Sequence, residues 1–135
     1  MKNKIRYTVL FFFVLMLAGN SGFAQKDKNK KTTSSAYDYQ GSFNNGLAKV
    51  KKDHKWGFID TTGALIVPLK YNEVENFNDG LARVRSGQKW GLVDVTGRVV
   101  IKPTFDWIYD FENGMAKVKI NGEIYYMNRE GQRVK

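Results

Sequence analysis

The sequence predicts an all-β protein of tandem 34-residue repeats, each a three-stranded antiparallel meander plus a loop, stacked as a short open repeat array. Three observations carry this prediction. The string F-x-x-G-[LM]-A-x-V opens at Phe43, Phe77 and Phe111, always at the same spacing. Short apolar runs alternate with turn signals rather than with helical periodicity. Gly63, Gly97 and Gly131 then close successive blocks in register.

The elements follow in chain order. Lys2, Lys4 and Arg6 precede an uncharged run from Tyr7 to Ala18, and Gly22-Phe23-Ala24 supplies small residues at a cleavage site. This pattern is that of a secretory signal peptide over 1–24. Its apolar core is short for the ~20 residues of a membrane span, and Gly19-Asn20-Ser21-Gly22 interrupts it. The expectation is therefore an exported chain, periplasmic or secreted, with no membrane span after cleavage. Residues 25–35 are polar and basic and read as a disordered linker. Residues 36–135 form the repeat domain, with units of about 37–70, 71–104 and 105–135. The chain has no cysteine, so export here brings neither disulfides nor thiolate metal sites.

The net charge of +9 is concentrated at the N-terminus. From Tyr37 onward there are 15 basic and 12 acidic residues, a mild excess that argues against nucleic acid as a partner.

Within a unit, the first strand ends at a two-residue gap: Asp53-His54, Gly87-Gln88 or Asn121-Gly122. Asn-Gly suits a type I′ hairpin turn and Gly-X a type II′ turn. The second strand, Trp56 to Asp60 in unit one, ends at Asp-x-x-Gly, where Asp60, Asp94 or Asn128 caps the turn and Gly63, Gly97 or Gly131 takes a positive φ. The third strand, Ala64 to Val67 or Arg98 to Ile101, is expected to stop around Pro68 or Pro103, which lack an amide proton. Asn72 to Gly80 and Asp106 to Gly114 are then the loops. In the second strand Trp56 and Phe58 face one side while Gly57 and Ile59 face the other, and Trp90, Gly91, Leu92 and Val93 repeat the pattern. Both sides are apolar or empty, so the strand is expected to be covered on both faces, with a ring of one unit filling space beside the glycine of its neighbour. Ile124-Tyr125 replaces Trp-Gly in the last unit, as in a terminal capping repeat.

These strings, F-x-x-G-L-A-x-V, then K-W-G-[FL]-[IV]-D-x-x-G, then an apolar strand with Pro and Tyr as in Leu65 to Tyr71, resemble the WG-repeat family of bacterial proteins over about 100 residues. The resemblance implies all-β repeats, frequent export and an interaction role, and it brings no catalytic residues.

Chemistry finds little support in the residues themselves. His54 is the only histidine and falls in a turn, and one carboxylate per turn is thin for Ca²⁺. The expectation is a non-enzyme without cofactor or metal. Two features could carry binding. Lys49, Arg83 and Lys117 share one column and Lys51, Arg85 and Lys119 another, so the six form a cationic stripe for an anionic envelope polymer or acidic protein, or else a solvated face neutralised by loop acids such as Glu73 and Glu75. Where unit two has those two glutamates, unit three has Trp107 and Tyr109, which either contact a sugar or protein or cover the open end of the stack. The leading expectation is an exported binding or scaffolding module. The alternative is a structural repeat protein that completes its core as a homo-oligomer.

Overall fold

Hairpins set the architecture. The computed structural model describes residues 36–135, and the expected signal peptide and linker lie outside the described residues. The first sheet runs β1 (Tyr39–Gln40), β2 (Leu47–Lys52), β3 (Lys55–Asp60) and β4 (Leu65–Tyr71). The second runs β5 (Glu73–Val74), β6 (Leu81–Ser86), β7 (Lys89–Asp94) and β8 (Val99–Phe105). The third runs β9 (Trp107–Glu112), β10 (Met115–Ile120), β11 (Glu123–Asn128) and β12 (Arg133–Val134). The fold is thus three open, four-stranded antiparallel meanders, one per repeat.

Each sheet holds one more strand than the meander expected. The two segments read as loops, and the stretch before β2, contain hairpins of their own, because Asn45-Gly46, Asp79-Gly80 and Asn113-Gly114 adopt paired positive φ of about 50° and 80°. That is the type I′ conformation, which matches strand twist and folds β1, β5 and β9 onto β2, β6 and β10. The expected turns after β2, β6 and β10 also form. Asp53-His54 and Asn121-Gly122 have both φ positive, while at Gly87-Gln88 only the glycine does.

A second correction concerns proline. β4 and β8 do not stop at Pro68 and Pro103 but run on to Tyr71 and Phe105. Trp56 pairs with Tyr71 and Phe58 with Val67, so residues 68–70 bulge opposite Gly57; residues 102–104 bulge opposite Gly91 in the same way. Proline is tolerated because β4 and β8 are edge strands and the bulge releases it from the ladder.

The bulge also explains the Trp-Gly pair, differently from the expectation. A Cβ on Gly57 would lie on the Val67 carbonyl oxygen and 3.0 Å from the Pro68 carbonyl; one on Gly91 would lie 2.7 Å from Pro103 N. The space beside the glycine is filled by backbone of the same sheet, not by a ring of the next unit. In sheet three, Tyr125 occupies that column, and its ring meets Phe105 edge-on with centroids 6.3 Å apart.

The sheets stack face on face. Trp56, Phe58, Val67 and Tyr71 of sheet one pack against Val74, Ala82, Val84 and Val93 of sheet two. Trp90, Leu92, Ile101 and Phe105 of sheet two pack against Ile108, Ala116, Val118 and Met127 of sheet three. β7 is therefore buried on both faces, as its Trp-Gly-Leu-Val run predicts. The Phe that opens the second and third repeat motifs reaches back to the preceding sheet: Phe77 meets Phe58 edge-on at 4.7 Å, and Phe111 joins the second junction. On the outer face of sheet one, Ala48, Val50 and Ile59 pack with Tyr37 and Leu69.

Candidate functional site

The turns show which polar residues are committed to the scaffold. Asp60 Oδ1 accepts the Thr62 and Ala64 amides at 2.9 and 3.0 Å, and Asp94 Oδ1 accepts those of Thr96 and Arg98 at 3.0 Å. Asn128 does the same with Glu130 and Gln132. The Thr96 hydroxyl, followed by the Arg98 side chain, holds the Asp94 carboxyl down at about 2. An ordinary aspartate titrates near 3.8, so this contact stabilises the fold above pH 4 and is lost as pH falls from about 4 toward 2. Asp60, held low first by the Thr62 hydroxyl, and Asp106, held low first by Lys89, shift in the same direction. Melting temperature is expected to be flat above pH 4 and to fall below it, and an Asp94→Asn variant is expected to fall less over that range. Parallel curves for the two proteins would contradict this.

A further capping device accounts for a column that the sequence displays without explaining. Asp38, Asn72 and Asp106 each reach fifteen residues ahead, accepting the turn amides of Asp53, Gly87 and Asn121 at 2.7–2.8 Å. Their own amides donate to the carbonyls of Lys51, Arg85 and Lys119. The Asx column thus ties the start of each sheet to its central hairpin. The signal was an Asx one residue after each aromatic Tyr37, Tyr71 and Phe105. His54 stands in the first of these hairpin turns, exposed, with a left-handed backbone.

The basic columns occupy equivalent register positions, but they do not form one continuous stripe. Stacking face on face puts each pair in a different layer, and the central pair turns inward. Arg83 bonds Glu75, Asp110 at 3.1 Å and the Ile108 carbonyl at 2.8 Å, bridging sheets two and three. Arg85 pairs with Glu73 at 2.9 Å and donates to the Gly87 carbonyl. Lys51 lies 5.3 Å from the Trp56 ring, and Lys49 is half-buried on β2. Lys117 and Lys119 remain on the outer face of sheet three without an ion pair among the described residues.

Trp107 and Tyr109 separate into different environments. Trp107 is half-buried at the second junction, edge-on to Trp90 at 5.1 Å and beneath the Arg83 guanidinium at 5.3 Å. Tyr109 is exposed, 6.5 Å from Trp107, with the Lys117 ammonium 4.9 Å from its ring. It borders a shallow cleft of about 100 Å³ with Glu75, Asp79, Arg83 and Phe111. Arg129 closes one side, bonding Asp79 and lying over Phe111.

Tyr109 also belongs to a larger surface. Lys117 pairs with Tyr126 and Lys119 with Ile124, so Met115, Lys117, Lys119, Ile124 and Tyr126 share the outward face of sheet three. Ile124 is 57% and Tyr126 54% exposed, whereas the residues in their columns of sheet two, Trp90 and Leu92, are 6% and 2% exposed. The sequence marked Ile124-Tyr125 as altered but did not single out Met115 or Tyr126, because exposure at the end of a stack depends on layering.

No cluster of three His, Asp or Glu side chains suited to a metal occurs among the described residues, and no helix there is long and apolar enough to cross a membrane. No curated protein and no solved structure matches the chain. The profile of the WG containing repeat matches residues 22–56, 56–90 and 90–123, three consecutive windows in the period of the three sheets. With most of its length accounted for by these repeats, the chain belongs to the WG containing repeat family.

Proposed function

We propose that this protein is an exported, non-catalytic binding module that holds a protein partner on the outward face of its third sheet. The observation that supports this most is positional. Tyr126 and Ile124 stand in columns that form the inter-sheet core of the other repeats, yet here they are open to solvent. Contiguous exposed apolar surface of this kind marks interaction sites, and aromatic residues flanking a cation are its usual anchors. Lys117 and Lys119 add positive charge that complements an acidic partner. Export rests on the pattern of residues 1–24.

Binding of the protein to native envelope fractions tests the reading. A Tyr109→Ser/Tyr126→Ser variant is expected to lose capture at least about tenfold, since anchors of this type contribute about 2 kcal/mol or more. A Val95→Ser variant, altered at an exposed apolar residue elsewhere, should capture normally. Equal capture by all three proteins sinks the proposal. The same apolar face favours self-association as the second reading, and a monomeric mass by light scattering removes it.

A further inference from the structure

The bulges that Gly57 and Gly91 permit also present side chains. Lys70 is the last residue of the first bulge and Lys102 the first of the second, and bulges characteristically re-aim side chains out of the ladder. Both lysines line one open groove of about 460 Å³ at the junction of sheets one and two, together with Tyr71, Ser86, Val99 and Pro103. That volume lies within the range of small-molecule sites.

The charge in the groove is unbalanced. No carboxylate lines it. Among the described residues neither lysine forms an ion pair, while Glu73, Glu75 and Asp106 are held by Arg85, Arg83 and Lys89. Lys70 lies 5.3 Å from the Tyr71 ring centroid, a contact that leaves its charge uncompensated. Ser86 adds a hydroxyl donor, and Val99 and Pro103 supply apolar wall.

The repeat itself does not require these residues. At the next junction Thr104, Phe105 and Ile120 stand in the columns of Lys70, Tyr71 and Ser86, and Pro68 stands one repeat before Lys102. Stacking is maintained there with Thr104 in place of the Lys70 ammonium and without the Tyr71 and Ser86 hydroxyls, so packing does not require these three residues.

We propose that this groove binds a small phosphorylated sugar, its phosphate held between Lys70 and Lys102 with help from Ser86, and its ring against Pro103 and Val99. Two ammonium groups and a hydroxyl lining one groove suit a tetrahedral oxyanion. The site lies away from the outward face of sheet three and stands or falls independently of it.

Amide chemical shifts of the full chain, followed on titration at an ionic strength of about 0.15 M, where exposed charges are already screened, provide the test. Glucose 6-phosphate is expected to move the Tyr71, Ser86, Val99 and Lys102 amides, and glucose is not. Lys70→Ala and Lys102→Ala should each weaken binding by about tenfold, the worth of one charged hydrogen bond. Lys→Arg at either position should retain most of the affinity. Absence of these shifts, or equal affinity in the double alanine variant, overturns the site. Inorganic phosphate binding as tightly as glucose 6-phosphate overturns the sugar assignment.

Discussion

Replacing Gly91 by alanine is expected to destabilise the protein by about 3 kcal/mol or more, a large loss for a single methyl group. The new Cβ would lie on the Ile101 carbonyl oxygen, 2.7 Å from Pro103 N and 2.8 Å from Lys102 C. All three are backbone atoms, so no side chain can rotate away. The bulge in β8 would have to open, and Phe105 beyond it would leave the core it shares with Trp90. Gly57→Ala is expected to behave alike against Val67 and Pro68. Neither glycine has positive φ, so backbone preference contributes little and the loss reports the bulge contact itself. Urea unfolding of the two variants checks this, and losses below about 1 kcal/mol would show that the bulge gives way easily.

Much of this fold is legible in the sequence, and the unread part has a physical cause. The 34-residue period, the hairpins at Gly87-Gln88 and Asn121-Gly122, the Asx caps at Asp60 and Asp94, and the two-sided burial of β7 all follow from local chemistry. The fourth strand was also signalled, since Asp79-Gly80 and Asn113-Gly114 are hairpin dipeptides between β-forming segments. The expectation of loops over Asn72 to Gly80 and Asp106 to Gly114 passed over these dipeptides at their ends. Proline misled in the opposite direction: at an edge strand it marks a bulge rather than an end.

Layering was the quantity hidden from a linear reading. A repeat period fixes which residues share a column, but not whether columns run across one surface or pass through a stack. The six basic residues share two columns, and face-to-face stacking places Arg83 inside a junction while leaving Lys119 in solvent. Trp107 and Tyr109 look alike in sequence, two residues apart, yet one lies beneath Arg83 and the other faces outward. The groove at Lys70 and Lys102 was invisible for the same reason. It is assembled by bulges on separate sheets, whose position depends on the glycine opposite each of them.

Gly63 and Gly97 offer the most direct measurement of the stack, because they hold the same turn with φ of 86° and 85°. A Cβ on Gly63 would meet nothing within 4 Å, whereas one on Gly97 would lie on the Ile66 carbonyl oxygen of the preceding sheet and 3.3 Å from its side chain. Alanine at either position pays the same left-handed backbone cost of about 1–2 kcal/mol. Only at Gly97 must it also push two sheets apart, adding about 2 kcal/mol on the scale of overpacked cores. Urea unfolding of Gly63→Ala and Gly97→Ala therefore isolates the inter-sheet contact as a difference between two variants. A larger loss at Gly97, by about 2 kcal/mol, is the result that face-to-face stacking of the repeats predicts. Equal losses at the two glycines would contradict it.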